Sequence, residues 1–263
     1  MKNIALLAKD ELELIDKSLN NLFEKSNEVF NELGIFLNSP KKRIRSLVTI
    51  LYLKSFSKEI NLNLLLACEL IHNASLLHDD VLDDADLRRG ITTICKKFNP
   101  NISILSGDYL LSLATENLIK IQNWDVITRF QNCVKKMSEA EILQYSLRGK
   151  IPTEQEYLDI IKGKTAELFT ATLEGSAILS NLDKNKAKKF AENFGILFQL
   201  KNDLEKNSAK ADKKNKIYTL KDILGIAKTQ ALMDNYLEEI RSKIEDLPQN
   251  NYSRGLERLL GLI

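Results

Sequence analysis

The stretch NLNLLLACELIHNASLLHDDVLDDADLRRG, residues 61–90, joins a long apolar helix pattern to a dense cluster of acidic residues. Its apolar residues recur three and four positions apart, which predicts a mostly buried helix. Five aspartates then fall within eight positions, and two arginines follow them. Asp79 and Asp83, four residues apart, share one helix face, whereas Asp80 lies about 100° around the axis.

This acidic cluster opposes two electrostatic preferences of a helix. Like charges four residues apart repel each other, and the C-terminal end of a helix already carries partial negative charge. A solvated acidic helix end is the alternative interpretation, but such an end would not follow a mostly apolar helix. A divalent cation removes the conflict, and oxygen ligands with no His or Cys at ligand spacing favour Mg²⁺.

Arg88 and Arg89 strengthen that interpretation because guanidinium groups bind phosphate oxygens in pairs and keep their charge at any working pH. Magnesium usually takes one or two carboxylates and completes its shell with substrate phosphates. The stretch therefore predicts a diphosphate held through Mg²⁺ by Asp79 and Asp83.

The rest of the chain also reads as helical, so we predict an all-α fold. Four prolines and ten glycines in 263 residues leave few places to divide the chain, and we expect a single domain over residues 1–263. Helices are predicted over residues 3–33, 41–57, 61–84, 104–121, 124–147, 153–180, 184–206, 219–245 and 252–261.

Composition excludes several classes of function. A formal net charge of +2 gives no basic excess for a nucleic-acid partner. No apolar run approaches the length that spans a bilayer, and charged residues interrupt the first apolar residues, so neither a transmembrane segment nor a signal peptide is expected. Cys68, Cys95 and Cys133 are far apart and odd in number, which favours reduced thiols in a cytoplasmic protein.

Several motifs of the chain together resemble those of one protein family. HDDVLDDADLRRG, which begins at His78, resembles the first aspartate-rich motif of the trans-prenyltransferases, the isoprenyl diphosphate synthases. Further motifs of that family follow in its order: KKRIR at 41–45, His72, SGDYLL at 106–111, GKTAELF at 163–169 and FQLKNDLEK at 198–206. The resemblance implies an isoprenoid synthase bundle of about ten antiparallel helices around a central cavity.

The resemblance also implies an activity, the head-to-tail condensation of isopentenyl diphosphate with an allylic prenyl diphosphate, assisted by Mg²⁺. The residues that match the isopentenyl diphosphate site are Lys42, Arg45, His72 and Arg89. Those that match the allylic diphosphate site are Arg88, Lys164, Thr165, Gln199 and, more weakly, Lys216. The expected metal ligands are Asp79, Asp80, Asp83, Asn202 and Asp203, and the expected catalytic residues are Asp79, Asp83 and Lys164.

The basic motif is expected at the start of a helix. Ser39 and Pro40 fit an N-cap followed by proline at the first helical position. Lys42 and Arg45 would then lie on one face of the first turn, where backbone N–H groups also attract anions. Arg43 would point away from both, and we assign it a structural role.

Product length is expected to depend on two small residues. In the family that the sequence resembles, residues one turn before the first aspartate form the floor of an apolar tunnel. Ala74 and Ser75 stand there, without the bulky aromatic or two-residue insertion of short-chain synthases. This resembles an octaprenyl-type pattern and predicts a product longer than farnesyl diphosphate. The alternative is that Ala74 and Ser75 only allow close helix packing.

The second aspartate-rich motif departs from the family pattern. Asn202 replaces its first aspartate and Lys206 its last, which weakens the expected binding of a third Mg²⁺, although Glu205 can compensate in part. The lysines at 201, 206, 210, 213, 214 and 216 form either a lid over the diphosphates or a solvated loop, and we favour the loop.

Two rival functions therefore stay open. A noncatalytic subunit that binds prenyl diphosphate and needs a partner chain agrees with the altered second motif. A terpene cyclase agrees with Asn-Asp-Leu at 202–204, but lysines at 206 and 210 and the isopentenyl diphosphate motif argue against it. By resemblance we expect a homodimer. The mechanism needs no side-chain nucleophile, and no general base is assigned.

Overall fold

The computed structural model describes residues 2–23, 27–39, 42–204 and 217–262, and helices dominate them. The chain divides into two compact units. One comprises Ala8–Ile50 and Ile60–Trp124, and the other comprises Met1–Leu7, Leu51–Glu59 and Asp125–Ile263. We call them the acidic-motif unit and the lysine-motif unit. The single domain predicted over residues 1–263 stays a prediction.

The secondary-structure elements follow in chain order. They are α1 (Lys2–Ala5), a 3-10 turn (Leu6–Ala8), α2 (Lys9–Asn21), α3 (Glu28–Asn38), α4 (Ile44–Ser55), α5 (Leu62–Leu82), β1 (Leu87–Arg88), β2 (Ile91–Thr92), α6 (Ile94–Lys97), α7 (Pro100–Lys120), α8 (Trp124–Ser146), α9 (Glu154–Ile161), a π-helical segment (Lys162–Ala166), α10 (Glu167–Leu179), α11 (Lys184–Leu204), α12 (Leu220–Leu224), α13 (Ile226–Glu245) and α14 (Asn251–Leu260). The all-α prediction is confirmed. Across these elements, no helix is both long enough and apolar enough to cross a membrane.

The acidic-motif unit is built around the packing of α5 on α7. Asparagine side chains cap both helices: Asn61 accepts from the N–H of Leu64, and Asn99 accepts from the N–H of Ile102. The Ser103 hydroxyl donates to the carbonyl of Leu77 at 2.9 Å and so ties one helix to the other inside the core. The α5–α7 pair gives the aspartates at the end of α5 a rigid support.

A small hairpin follows α5, although the sequence predicted no strand. Leu87 pairs with Thr92 and Arg88 with Ile91 in antiparallel register. Arg89 and Gly90 form the two-residue turn, with φ of 53° and 82°. Positive φ at both central positions is the requirement of a type I′ turn, which Gly meets without strain. The hairpin places the two arginines on a defined backbone rather than on a loose loop.

The lysine-motif unit is organised around α11, which packs on α10, α13 and the π-helical segment. Gly195 of α11 allows a close approach, since a Cβ there would lie 2.5 Å from the Cα of Ala166. Gly163 does the same on the other side of the segment, where a Cβ would lie 2.5 Å from the Cβ of Ala140 in α8. Both glycines let the π-helical segment and the neighbouring helices pack closely together.

Several predicted helices are divided in the structure. The helix expected over residues 3–33 is two helices and a 3-10 turn before α3 begins. The helix expected over residues 153–180 contains the π-helical segment, and Gly225, with φ of 81°, separates α12 from α13. Apolar spacing continues through each break, so periodicity alone did not reveal them.

Candidate active site

The end of α5 arranges the first aspartates as the spacing predicted. Asp83 caps the helix, and its N–H donates to the carbonyl of Asp79 at 2.8 Å. The two residues therefore occupy successive turns, and both side chains are half-buried. A pair of carboxylates one turn apart can bind a hard cation together with a phosphate.

Asp80 points elsewhere and is completely buried. Its Oδ1 accepts from Arg88 Nε at 2.7 Å and from Arg88 Nη2 at 2.6 Å. Burial raises the pKa of Asp80, and the charge and hydrogen bond of Arg88 oppose that rise. Among the described residues nothing hydrogen-bonds its second oxygen, Oδ2. The predicted roles of Asp80 in metal binding and of Arg88 in allylic diphosphate binding stay predictions.

Arg89 lies in a region of concentrated positive charge. Its Nη1 donates to the Ser39 hydroxyl at 3.3 Å. Burial lowers the pKa of Arg89; the negative charge of Glu69 opposes this, and three further arginines, Arg43, Arg45 and Arg88, add to it. Positive charges gather here against their mutual repulsion, an arrangement that a bound anion would stabilise.

The basic motif does not begin a helix in the way that the sequence predicted. Ser39 ends α3 instead, and its hydroxyl donates to the carbonyl of Phe36 at 2.8 Å. Pro40 and Lys41 lie outside the described residues. Lys42 precedes α4, and Arg43 has φ of 42°, so the expected arrangement on one helical turn is wrong.

The reason is a buried ion pair that holds Arg43. Its Nη1 donates to Glu69 at 2.8 Å, and its Nε donates to Asp16 at 2.7 Å. The carbonyl of Arg43 then accepts the first helical hydrogen bond, from Leu47 at 2.8 Å. The structural role assigned to Arg43 agrees with these contacts. Lys42 is exposed and Arg45 half-buried on either side of it.

The three residues singled out earlier in α5 have different surroundings. His72 and Ser75 are half-buried, and the Ser75 hydroxyl donates to the carbonyl of His72 at 2.8 Å. Ala74 has no exposed surface. Full burial agrees with both interpretations of Ala74, a tunnel floor and a packing residue, so its role in product length stays a prediction.

The SGDYLL segment supports the end of α5. A Cβ at Gly107 would lie 2.2 Å from Nε2 of His78, so a larger residue there would displace that imidazole. His78 Nε2 lies 3.3 Å from the Ile104 carbonyl and 3.4 Å from Asp108. The histidine next to the first aspartate is therefore anchored on α7.

The carboxylates can be tested against the magnesium that the sequence implies. Within the described ranges, no three His, Cys, Asp or Glu side chains gather closely enough to hold a metal by themselves. Magnesium that takes one or two carboxylates, water and phosphate oxygens needs no such trio. The unsatisfied buried oxygen of Asp80 and the oxygen-only donors fit a hard cation better than a soft one.

In the lysine-motif unit, Lys164 lies in the π-helical segment. Its Nζ contacts Glu141 Oε2 at 2.5 Å and donates to Gln144 Oε1 at 2.8 Å. Short π-helical insertions are frequent at functional sites because they redirect side chains. The sequence did not reveal Glu141 and Gln144, which precede Lys164 by 23 and 20 residues in another helix.

The second motif takes part in a partly buried chain of hydrogen bonds. Thr165 donates to Gln199 at 2.9 Å, and Gln199 donates to Asp203 Oδ1 at 2.9 Å. The Tyr157 hydroxyl donates to Asp203 Oδ2. Burial raises the pKa of Asp203 to about 6, although these hydrogen bonds and Lys221 oppose the rise. Both carboxylate oxygens accept hydrogen bonds inside the protein, and the metal binding predicted for Asp203 stays a prediction.

Asn202 is half-buried, and its predicted metal binding stays a prediction. Glu205, Lys206 and Lys216 lie outside the described residues, as do the other lysines of the predicted loop at 210, 213 and 214. The choice between a lid and a solvated loop is therefore not tested.

The chain is similar to known proteins over most of its length. A family model described as polyprenyl synthetase matches residues 27–251. A short chain isoprenyl diphosphate synthase of Methanocaldococcus jannaschii is 30% identical over 210 residues, covering 76% of this chain and 64% of the relative. A decaprenyl-diphosphate synthase of Dictyostelium discoideum is 32% identical over 237 residues, covering 88% and 51%.

A solved structure shares the same fold. The crystal structure of a decaprenyl diphosphate synthase from Rhodobacter capsulatus has a TM-score of 0.91 at 20% identity, covering 99% of this chain and 97% of that one. The match to the two sequence relatives spans 51% to 64% of their own lengths.

Proposed function

Because the chain belongs to the polyprenyl synthetase family, we propose that it condenses isopentenyl diphosphate with an allylic prenyl diphosphate, head to tail. One observation supports this most strongly. A hairpin carries Arg88 and Arg89 beside the end of α5, where Asp79 and Asp83 share a helix face. Carboxylates that suit Mg²⁺ beside arginines that suit phosphate describe a diphosphate site.

The side chains have distinct tasks in the proposed reaction. Arg89, with Lys42, Arg45 and His72, would bind the diphosphate of isopentenyl diphosphate and orient its double bond. Lys164 would place a positive charge against the leaving diphosphate of the allylic substrate, which lowers the cost of the charge that develops there. Mg²⁺, when bound through Asp79 and Asp83, would neutralise part of the charge on a bound diphosphate.

The noncatalytic alternative keeps one supporting observation. Asp203, the remaining aspartate of the second motif, already accepts one hydrogen bond on each carboxylate oxygen, from Tyr157 and Gln199. A chain with only the first aspartate-rich motif available can bind prenyl diphosphate yet turn it over slowly. No comparable observation favours a terpene cyclase.

The activity can be tested with the purified protein. With Mg²⁺, farnesyl diphosphate and labelled isopentenyl diphosphate, we expect label to enter prenyl diphosphates longer than farnesyl diphosphate, measured by mass analysis. Absence of label at any Mg²⁺ concentration, over a chain-length series of allylic substrates, would contradict catalysis by this chain alone. Product formed from farnesyl diphosphate without isopentenyl diphosphate would indicate a cyclase.

Ala74 provides a test of product length. Ala74→Phe is expected to shorten the main product, because a phenyl ring would block a tunnel that passes this position. It is also expected to lower the free energy of unfolding by about 1–3 kcal/mol, since the site is fully buried. Ala114→Phe, at a site in α7 with 1% exposure, is the matched control for overpacking. Equal destabilisation of both variants with no change in product would mean that Ala74 serves packing only.

The proposed assembly is a homodimer. Leu105 and Ile119 of α7 and Trp124, which follows that helix, are 62%, 58% and 80% exposed. Burial against a second copy would remove them from water. A cytoplasmic location agrees with Cys68, Cys95 and Cys133, all of which are free thiols.

A further inference from the structure

Glu69 is a carboxylate in the interior of the acidic-motif unit, and both of its oxygens have partners. The Ser46 hydroxyl donates to Oε1 at 2.6 Å, and Arg43 Nη1 donates to Oε2 at 2.8 Å. The side chains of Glu69 and Arg43 are each 3% exposed. A buried charge is costly unless it is paired and hydrogen-bonded, and this one satisfies both conditions.

Arg43 links Glu69 to the backbone of the basic motif, because its ion pair with Glu69 holds its own backbone conformation. Its φ of 42° lies in the left-handed region, which a non-glycine residue occupies only when its surroundings hold it there. Glu69 holds one side of the guanidinium, and Asp16 holds the other. The turn at Arg43 sets the direction of the backbone at Lys42 and at the start of α4.

We propose that Glu69 is a positioning residue for isopentenyl diphosphate, acting through Arg43 on Lys42 and Arg45. This inference rests on the proposed function, since it assigns those two cations to that substrate. Ser46, one residue after Arg45, donates to the same carboxylate and so fixes the start of α4 from inside. Glu69 therefore anchors the basic motif both before and after Arg45.

If Glu69 positions the basic motif, replacing it should weaken diphosphate binding, whereas its charge alone predicts that the same replacement would tighten binding. Glu69 is negative and lies near the arginines that would bind diphosphate, since its charge opposes the lowering of the pKa of Arg89. Removing that charge alone would raise the local positive potential and tighten diphosphate binding. Loss of positioning would instead weaken it, because displacement of about 1 Å can cost a hundredfold.

The experiment compares Glu69→Gln with wild type. We expect the KM for isopentenyl diphosphate to rise about ten- to a hundredfold, whereas the KM for the allylic substrate stays within about threefold. Isothermal titration of isopentenyl diphosphate should show the same loss of affinity. Because one unpaired partner can prevent folding, the double variant Arg43→Gln/Glu69→Gln, which leaves no uncompensated buried charge, is measured alongside and should show the same selective loss.

Glu32→Gln is the matched control, since Glu32 lies in the same unit, pairs with Lys97 at 2.5 Å and has no assigned role in binding. It should leave both KM values unchanged. An unchanged or lowered KM for isopentenyl diphosphate in a folded Glu69 variant overturns the inference, as does an equal rise in both KM values.

The titration also separates this inference from the proposed function. If wild type binds isopentenyl diphosphate but incorporates no label, catalysis is wrong, while the loss of affinity in the variants still supports the positioning role. If wild type binds no isopentenyl diphosphate, the positioning role is wrong as well.

Discussion

Replacing Asp79 with Ala is expected to lower the rate of condensation by about a thousandfold, equivalent to ~4 kcal/mol of transition-state stabilisation. The proposed reaction separates an allylic cation from a diphosphate, and the charge on the leaving group has to be neutralised as it develops. Asp79 and Asp83 occupy successive turns at the end of α5. Loss of either carboxylate would remove one of the proposed Mg²⁺ ligands, and the buried Asp80, whose Oδ1 is held by Arg88, lies on another side of the helix.

Asp86→Asn is the control for this variant. Asp86 belongs to the same acidic segment, but its side chain is 68% exposed and pairs with Lys96 at 2.9 Å. Its loss should change the rate less than about twofold, as is usual for an exposed ion pair. The measurement is steady-state incorporation of labelled isopentenyl diphosphate over a range of Mg²⁺ concentrations. An Asp79 variant within tenfold of the wild-type rate would remove that carboxylate from the reaction.

The second large effect concerns stability. Arg43→Ala is expected to lower the free energy of unfolding by about 3–5 kcal/mol, because it leaves the buried carboxylate of Glu69 without its charged partner. It also removes the contact that holds the basic motif in its left-handed turn. Denaturant unfolding followed by circular dichroism measures the loss.

Lys9→Ala supplies the comparison in the same unit. Lys9 and Glu13 are 58% and 65% exposed and lie 3.6 Å apart, so their pair should contribute less than about 0.5 kcal/mol. The double variant Arg43→Gln/Glu69→Gln should recover most of the stability lost by Arg43→Ala. A loss below about 1 kcal/mol for Arg43→Ala would mean that water or another cation replaces the guanidinium.

The family was accessible from the sequence, and a reaction class could be proposed from it, because the signals that carry them are local. Aspartates four residues apart share a helix face wherever that helix lies. Guanidinium groups next to them suggest phosphate whatever the fold. The order of motifs from residue 41 to residue 206 added specificity that no single motif has.

The secondary-structure predictions were wrong where the local sequence pattern and the tertiary packing disagree. Ser39 and Pro40 have the residue types of a helix start, yet the chain turns at Arg43 before α4 begins. The π-helical segment keeps the apolar spacing of a regular helix, so its sequence resembles one. A hairpin of two-residue strands is too short for any alternation to show, although Arg89-Gly90 fits its turn.

Residue spacing was sufficient to predict the helical class and the shared face of Asp79 and Asp83, since each depends on neighbours within one or two turns. The ion-pair and hydrogen-bond partners of buried side chains were not predictable in this way. Only the packing of distant segments pairs Arg43 with Glu69 and encloses Asp203 among hydrogen-bond donors. Burial and charge compensation arise between residues far apart in the chain, and the tertiary structure alone decides which charged side chains are buried and paired.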